Sequence, residues 1–164
     1  MIRQITENKK QYLALLLLAD EQESMIDEYL ERGEMYVLEK EFPPSSAPAP
    51  SQDGGSKEPQ PLAVCVVTDQ GEGVLELKNL AVSPQAQRKG LGRKMIRFLE
   101  DTYRGKYEIF QVGTGESPLT LPFYEKCGFT VSHRLPDFFT EHYDHPILEA
   151  GVVLRDMIYL RKKL

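Results

Sequence analysis

The chain has 164 residues, a mass of 18.7 kDa and 41% hydrophobic residues, enough to close one sizeable core and hardly two, so one domain spanning 1–164 is expected. A formal charge of -5 and a pI near 5.3 exclude a general nucleic-acid binder, because neutralising phosphates needs a concentrated basic face. The two cysteines, Cys65 and Cys127, lie inside apolar segments, and the text opens with no charged-then-apolar leader. A cytoplasmic protein is expected, with no membrane association.

In chain order, "MIRQI" predicts a first strand, and "NKKQYLALLLLA" and "QESMIDEYLERG" predict two helices, the second stopped at Gly33. The apolar run Tyr12 to Ala19 falls short of the roughly 20 residues that cross a bilayer and reads as a buried helix. A strand follows in "EMYVLEKE". The stretch from Phe42 to Pro61 is rich in Pro, Ser and Gly and offers too little apolar surface to offset its ordering entropy. It predicts a flexible surface loop over 43–61, with the flanking strands paired across it.

"LAVCVVTDQ" and "GVLELKNLAVS" read as two antiparallel strands joined through Asp69-Gln70-Gly71-Glu72-Gly73. The helix "LGRKMIRFLEDTYRG" puts Leu91, Met95, Phe98, Leu99 and Tyr103 on one stripe that faces the sheet. Next come strand "YEIFQVG", short helix "PLTLPFYEKCG", strand "FTVSHR", an irregular "LPDFFTEHYDHPILEAG" and a closing strand "VVLRDMIYLRK". The order implies an α/β fold, a mixed sheet covered by helices. The last strand, "RDMIYLRKK", is expected to offer a pairing edge for a homodimer.

The joint between strand and helix, "NLAVSPQAQRKGLGRKM", crowds Arg88, Lys89, Arg93 and Lys94 around Gly90 and Gly92. A helix start has unpaired N–H groups and partial positive charge, so a glycine-opened start is an anion site. The dinucleotide fingerprint needs a third glycine where this chain has Met95, and the P-loop needs Gly-Lys-Ser/Thr where it has Lys89-Gly90-Leu91. Neither fits. Gln-x-x-Gly-x-Gly after "LAV" remains, and by itself it is equally well a tight packing turn with solvated basic side chains.

Taken with "ELKNLAV" before it and "FYEKCGF" after it, this motif resembles that of the GNAT N-acetyltransferase superfamily, and the "DFF…HY…DM" ending resembles a sparsely characterised bacterial branch. The resemblance covers Val74 to about Arg134. It implies a mostly antiparallel mixed sheet with helices on both faces, and acetyl-CoA as co-substrate. Its pyrophosphate would be held by N–H groups of Arg88, Lys89, Gly90, Leu91, Gly92 and Arg93, with Gln87 opening the loop. The main chain at Leu80, Ala81 and Val82 would bind the acetyl carbonyl and the pantetheine arm, by preorganised donors of the kind that stabilise an oxyanion.

An amine acceptor has a pKa of about 10.4 and must lose a proton before attack. By the resemblance, Glu76, four residues before Leu80, is the first candidate base, acting through water. The alternative is an outward strand glutamate paired with Lys78. Glu116 is a second candidate, or a cap for the following helix. Tyr124 stands where the family's tyrosine protonates the departing thiolate, or else packs beside Phe123 and Phe129. Pro118 and Pro122 depart from the family's pattern here, and Ser117 takes the place of its CoA-contacting asparagine. His142, Asp144 and His145 make a poor zinc pattern, so no metal is expected. The segment "DFFTEHYDHPI" is expected to line the acceptor end of the cleft. The expected activity is direct acetyl transfer to a primary amine of a small molecule or peptide. A non-catalytic acyl-CoA-binding or sensing module is the alternative.

Overall fold

A computed structural model of the protein describes residues 1–40 and 59–164. The predicted flexible loop falls almost wholly outside the described residues, with only 59–61 inside them. Seven strands form one sheet in the order β1 (Ile2–Ile5), β2 (Glu34–Glu39), β3 (Pro61–Asp69), β4 (Val74–Val82), β5 (Ile109–Gly115), β9 (Met157–Lys163) and β6 (Thr130–Leu135). The strands on either side of the proline-rich stretch pair with each other, β2 against β3, as expected. Ala63 to Thr68 of β3 are buried without a break, because helices lie on both faces of the sheet and a doubly covered strand reads as a continuous apolar run.

The β4–β5 pair is parallel, whereas β3–β4 and β5–β9 are antiparallel. Parallel neighbours need a crossover, which α3 (Leu91–Tyr103) provides. Its apolar stripe, with Met95, Ile96 and Leu99, packs with Leu75, Leu77, Phe110 and Leu160 of the sheet. Helix α4 (Thr120–Lys126) adds Tyr124 to the same face. On the opposite face, α1 (Leu13–Ala19) and α2 (Glu23–Asp27) cover Met35, Val37, Val64 and Val66 with Leu16 and Ile26.

Four expectations need correction. The run Tyr12–Ala19 is amphipathic rather than buried: Tyr12 and Leu16 face the sheet, whereas Leu18 is 52% exposed. The second helix is regular only over Glu23–Asp27, and turns carry the chain on to Gly33. The segment read as irregular holds α5 (Phe138–His142) and a hairpin of β7 (Leu148–Glu149) and β8 (Val152–Val153). The hairpin takes Val152 and Val153 away from the closing strand. Finally, β9 has β5 on one side and, over Met157–Arg161, β6 on the other, so among the described residues it is an inner strand rather than an edge offered to a second copy.

Lys9 ends the turns after α2. Its ammonium, on a side chain that is 6% exposed, donates to the carbonyls of Leu30 at 2.8 Å, Gly33 at 2.7 Å and Glu31 at 3.2 Å. A buried ammonium is tolerated only with such partners. Replacing it strands those carbonyls, so Lys9→Met should lower the unfolding free energy by about 2–3 kcal/mol, measurable by urea denaturation. Unchanged stability would show that the three bonds add nothing net.

Candidate active site

The site begins with a defect in β4. Its register with β3 jumps from Val66↔Asn79 to Val67↔Leu77, so Lys78 is an extra residue and the strand bulges there. As a result Leu77 and Leu80, three residues apart, both belong to the α3 face. Pairing with β5 runs from Val74↔Ile109 to Leu77↔Val112, although β4 continues to Val82 and β5 to Gly115. Beyond the bulge the two strands therefore separate.

Ser83 N–H donates to Leu62 O at 2.8 Å. The alternation of antiparallel pairing then directs the main chain of Asn79 and Ala81 toward β3, and that of Leu80 and Val82 toward the gap. There the Val82 carbonyl accepts from Gln87 Nε2 at 3.2 Å. The turn that follows has Arg88 at φ 64° and Gly90 at φ 77°, and Gly90 is the left-handed residue from which α3 starts. No side chain caps α3, whose ladder begins with Lys94 N–H donating to Gly90 O at 3.0 Å. This leaves the amides of Leu91, Gly92 and Arg93 at the helix's positive end. Arg88, Lys89 and Arg93 are exposed around it. Gly92 is buried against α4, where a Cβ would meet the Phe123 ring at 3.1 Å.

Where β4 and β5 part there is a cavity of about 240 Å³. The seam forms one wall through Leu77, Leu80, Val112 and Gly113, and α4 contributes Thr120 and Tyr124. The α1–α2 link supplies Asp20 and Glu21, and the segment after β6 forms a roof with Phe139, Tyr143 and Glu149. Burial holds the Tyr124 phenol well above the ordinary tyrosine range, with the Glu149 carboxylate adding to the rise. Burial likewise raises the Asp20 carboxyl, opposed by hydrogen bonds from Tyr143, Tyr29 and the Gln22 amide.

The residues singled out by sequence are brought together unequally. Leu80 and Tyr124 reach the cavity. Glu76 does not line it. It is only 4% exposed rather than outward, its carboxylate taken by the Lys78 ammonium and by Gln111 Nε2, and Gln111 in turn accepts from Arg161 Nε at 2.7 Å. Glu116 lies outside the cavity, exposed and gripped by Arg134 at 2.8 and 3.0 Å, which holds its carboxyl below the usual range. Ser117 is buried and accepts the Leu119 amide at 3.1 Å, bracing the entry to α4. His142 stacks on Phe138 and donates from Nδ1 to Phe138 O at 2.9 Å. Among the described residues, no group of three or more His, Cys, Asp or Glu is placed to hold a metal ion.

Residues 54–131 match the acetyltransferase (GNAT) domain family. Across 156 residues the chain is 34% identical to YvbK of Bacillus subtilis strain 168, named as an uncharacterized N-acetyltransferase, covering 94% of this chain and 90% of that protein. The chain belongs to the GNAT N-acetyltransferases. Two solved GNAT-type structures agree over nearly the full length of both chains. A family acetyltransferase from Elizabethkingia anophelis with acetyl-CoA bound superimposes with a TM-score of 0.84 at 28% identity, covering 100% of this chain and 97% of the other. A Bacillus subtilis acetyltransferase in complex with CoA does so at 0.78 and 33%, covering 99% and 97%.

Within this GNAT chain, sequence reasoning missed the acidic and polar residues of the cavity. Asp20 follows an apolar helix and looks like a helix stop. Glu149 belongs to a hairpin whose turn, Ala150-Gly151, lacks the usual Asn-Gly signal although both residues have positive φ. Asn79 sits within the "LKNLAV" strand, yet its Nδ2 donates to Leu16 O and to Tyr29 Oη, both at 3.0 Å. No local pattern marks these three, since their neighbours come from distant segments. The state of Tyr124 is testable. A tyrosine normally ionises near pH ~10, and the ultraviolet difference titration between the wild type and Tyr124→Phe should show no tyrosinate from this phenol at that pH. A normal titration there would mean that the side chain is not buried as described.

Proposed function

We propose that the protein, acting as a single acetyltransferase domain, moves an acetyl group directly from acetyl-CoA to a primary amine. Acetyl-CoA is the co-substrate of this GNAT acetyltransferase, and its thioester supplies the activated acyl group. The observation that carries the proposal is the end of β4–β5 pairing at Leu77↔Val112 beside a cavity lined by Tyr124. Main-chain groups released from a sheet need new partners, and the amides and carbonyls of Leu80 and Val82, with Ala81 between them, suit the pantetheine arm and the acetyl carbonyl. The unpaired amides at the start of α3, with Gln87, Arg88, Lys89 and Arg93 around Gly90 and Gly92, suit a diphosphate. Ser117 fixes the start of α4 and so the position of Tyr124.

In the transfer the amine N–C bond forms as the C–S bond breaks. Tyr124 is suited to be the acid, because a phenol held protonated has a proton for the departing sulfur, and it regains one from solvent. The ammonium loses one proton before attack and another after it, so the overall reaction releases one proton. Glu76 is screened by Lys78 and Gln111, so it would receive a proton only through water. Glu116 is tied to Arg134 outside the cavity and is the weaker candidate.

Calorimetric titration with acetyl-CoA, followed by thiol release over a panel of amines, tests the proposal. Binding and turnover are expected. Binding without turnover on any amine would favour the acyl-CoA sensor, and no binding would end both readings. Tyr124→Phe should lower kcat by about 100-fold or more while leaving the CoA dissociation constant within twofold, whereas an undiminished kcat would remove Tyr124 from the chemistry. Glu76→Gln should lower kcat, and an undiminished kcat would assign that proton to solvent alone.

A further inference from the structure

The cavity has a distinct charge pattern at the end formed by the α1–α2 link. Asp20, Glu21 and Glu149 line it, while the ammonium of Lys78, its basic residue, is engaged by Glu76. Asp20 is held from two sides: Tyr143 Oη donates to Oδ1 at 2.7 Å and Tyr29 Oη to Oδ2 at 3.2 Å. Tyr29 has its proton available for this because its oxygen accepts from Asn79 Nδ2 at 3.0 Å. These neutral hydroxyls orient the carboxylate without cancelling its charge. Among the described residues, no Lys, Arg or His lies in salt-bridge range of Asp20.

A second polar atom on the same wall also lacks a partner. Asn79 is 3% exposed and lines the cavity, and among the described residues its buried Oδ1 has no hydrogen-bond partner. Asp20 accepts hydrogen bonds from two phenols and the Gln22 amide yet has no counter-ion, and an ammonium in the cavity supplies one. The stacked rings of Phe139 and Tyr143, 5.5 Å apart, form an aromatic surface beside Asp20 that tolerates a cation. The cavity is therefore walled by separate elements. Tyr124 lines it from α4, Asp20 from the α1–α2 link and Tyr143 from the roof, and Glu149 of the roof adds negative charge near the Tyr124 phenol.

We infer that the acceptor is an aliphatic amine bearing a second positive charge, of the diamine type, and that Asp20 is the residue that selects it by pairing with the ammonium remote from the reacting nitrogen. This rests on the acetyl-transfer reading. An amine with no second charge leaves Asp20 unpaired, and one with a carboxylate at that end meets like charge, so both are poorer acceptors.

The test uses the purified full chain, saturating acetyl-CoA and thiol release. It compares kcat/KM for unbranched diamines of three to six carbons with that for alkylmonoamines of the same length. The diamines should be favoured about 10-fold or more, and Asp20→Asn should cut the diamine-to-monoamine ratio by about 10- to 100-fold, the range of a charge-assisted contact. Tyr143→Phe keeps the charge but loosens its aim, and should reduce the ratio by less than Asp20→Asn does. A wild-type ratio near one, or a ratio that Asp20→Asn leaves unchanged, overturns the inference while the acetyl-transfer reading stands. If Asp20→Asn does not fold, the wild-type ratio and Tyr143→Phe decide, and a ratio near one or one that Tyr143→Phe leaves unmoved overturns it. Acetyl-CoA binding with no thiol release from any amine overturns both.

Discussion

One inserted residue in β4 organises the rest of the molecule. Peptide groups inside a protein must be hydrogen-bonded, and a regular β4 would have met this need by pairing with β5 along its whole length, closing the sheet. With Lys78 bulged out, the pairing stops at Val112 and the second half of β4 presents free main-chain groups to a gap. That gap is tolerable only because a ligand or water can satisfy it. Its walls are otherwise rigid: Leu77 and Leu80 are anchored in the α3 face, and Asn79 is anchored by Leu16 and Tyr29 on the other. Glu76 belongs to the same device, since its buried carboxylate neutralises the bulged Lys78 and ties it through Gln111 to Arg161 on β9.

On the proposed reading, binding and selection are built from different physics. The coenzyme end depends on backbone geometry, the left-handed Arg88 and Gly90 and the open amides of α3, so substitution of many side chains there leaves its shape intact. The acceptor end depends on side chains, with carboxylates, phenols and an amide supplied by the α1–α2 link, β4 and the roof. The two proposed ends meet at Tyr124, whose phenol is kept protonated by burial.

Legibility in the sequence followed the range of the interactions. The strands, α3 and the turn at Arg88 to Arg93 are written in local periodicity and in glycine placement, and they fall where expected. The exposure of Leu18 was hidden because an all-apolar helix gives no contrast between faces. The roof was hidden because its hairpin turns on Ala150-Gly151, and because Phe139, Ile147 and Leu154 form a small cluster of their own rather than extending a periodic element. The resemblance offered Glu76 as a base and its spacing offered Lys78 as a partner, and the fold contains that pair; the Gln111 contact comes from the parallel neighbour β5 and had no local mark. Asp20 was invisible for the plainest reason: Tyr143, which defines its surroundings, lies 123 positions away.

That separation governs when the cavity can exist. The bulge, the anion turn and Tyr124 lie within residues 74–124, whereas the acceptor walls come from positions 18–21 and 139–157. Neither half of the polypeptide contains an acceptor pocket, which arises only once the early and late parts of the chain have docked through Tyr143–Asp20 and the Asp144 amide's bond to Gln22. On the proposed reading, choice of acceptor is therefore a property of completed tertiary structure, and mutations that loosen either flank would broaden that choice while sparing the coenzyme groove.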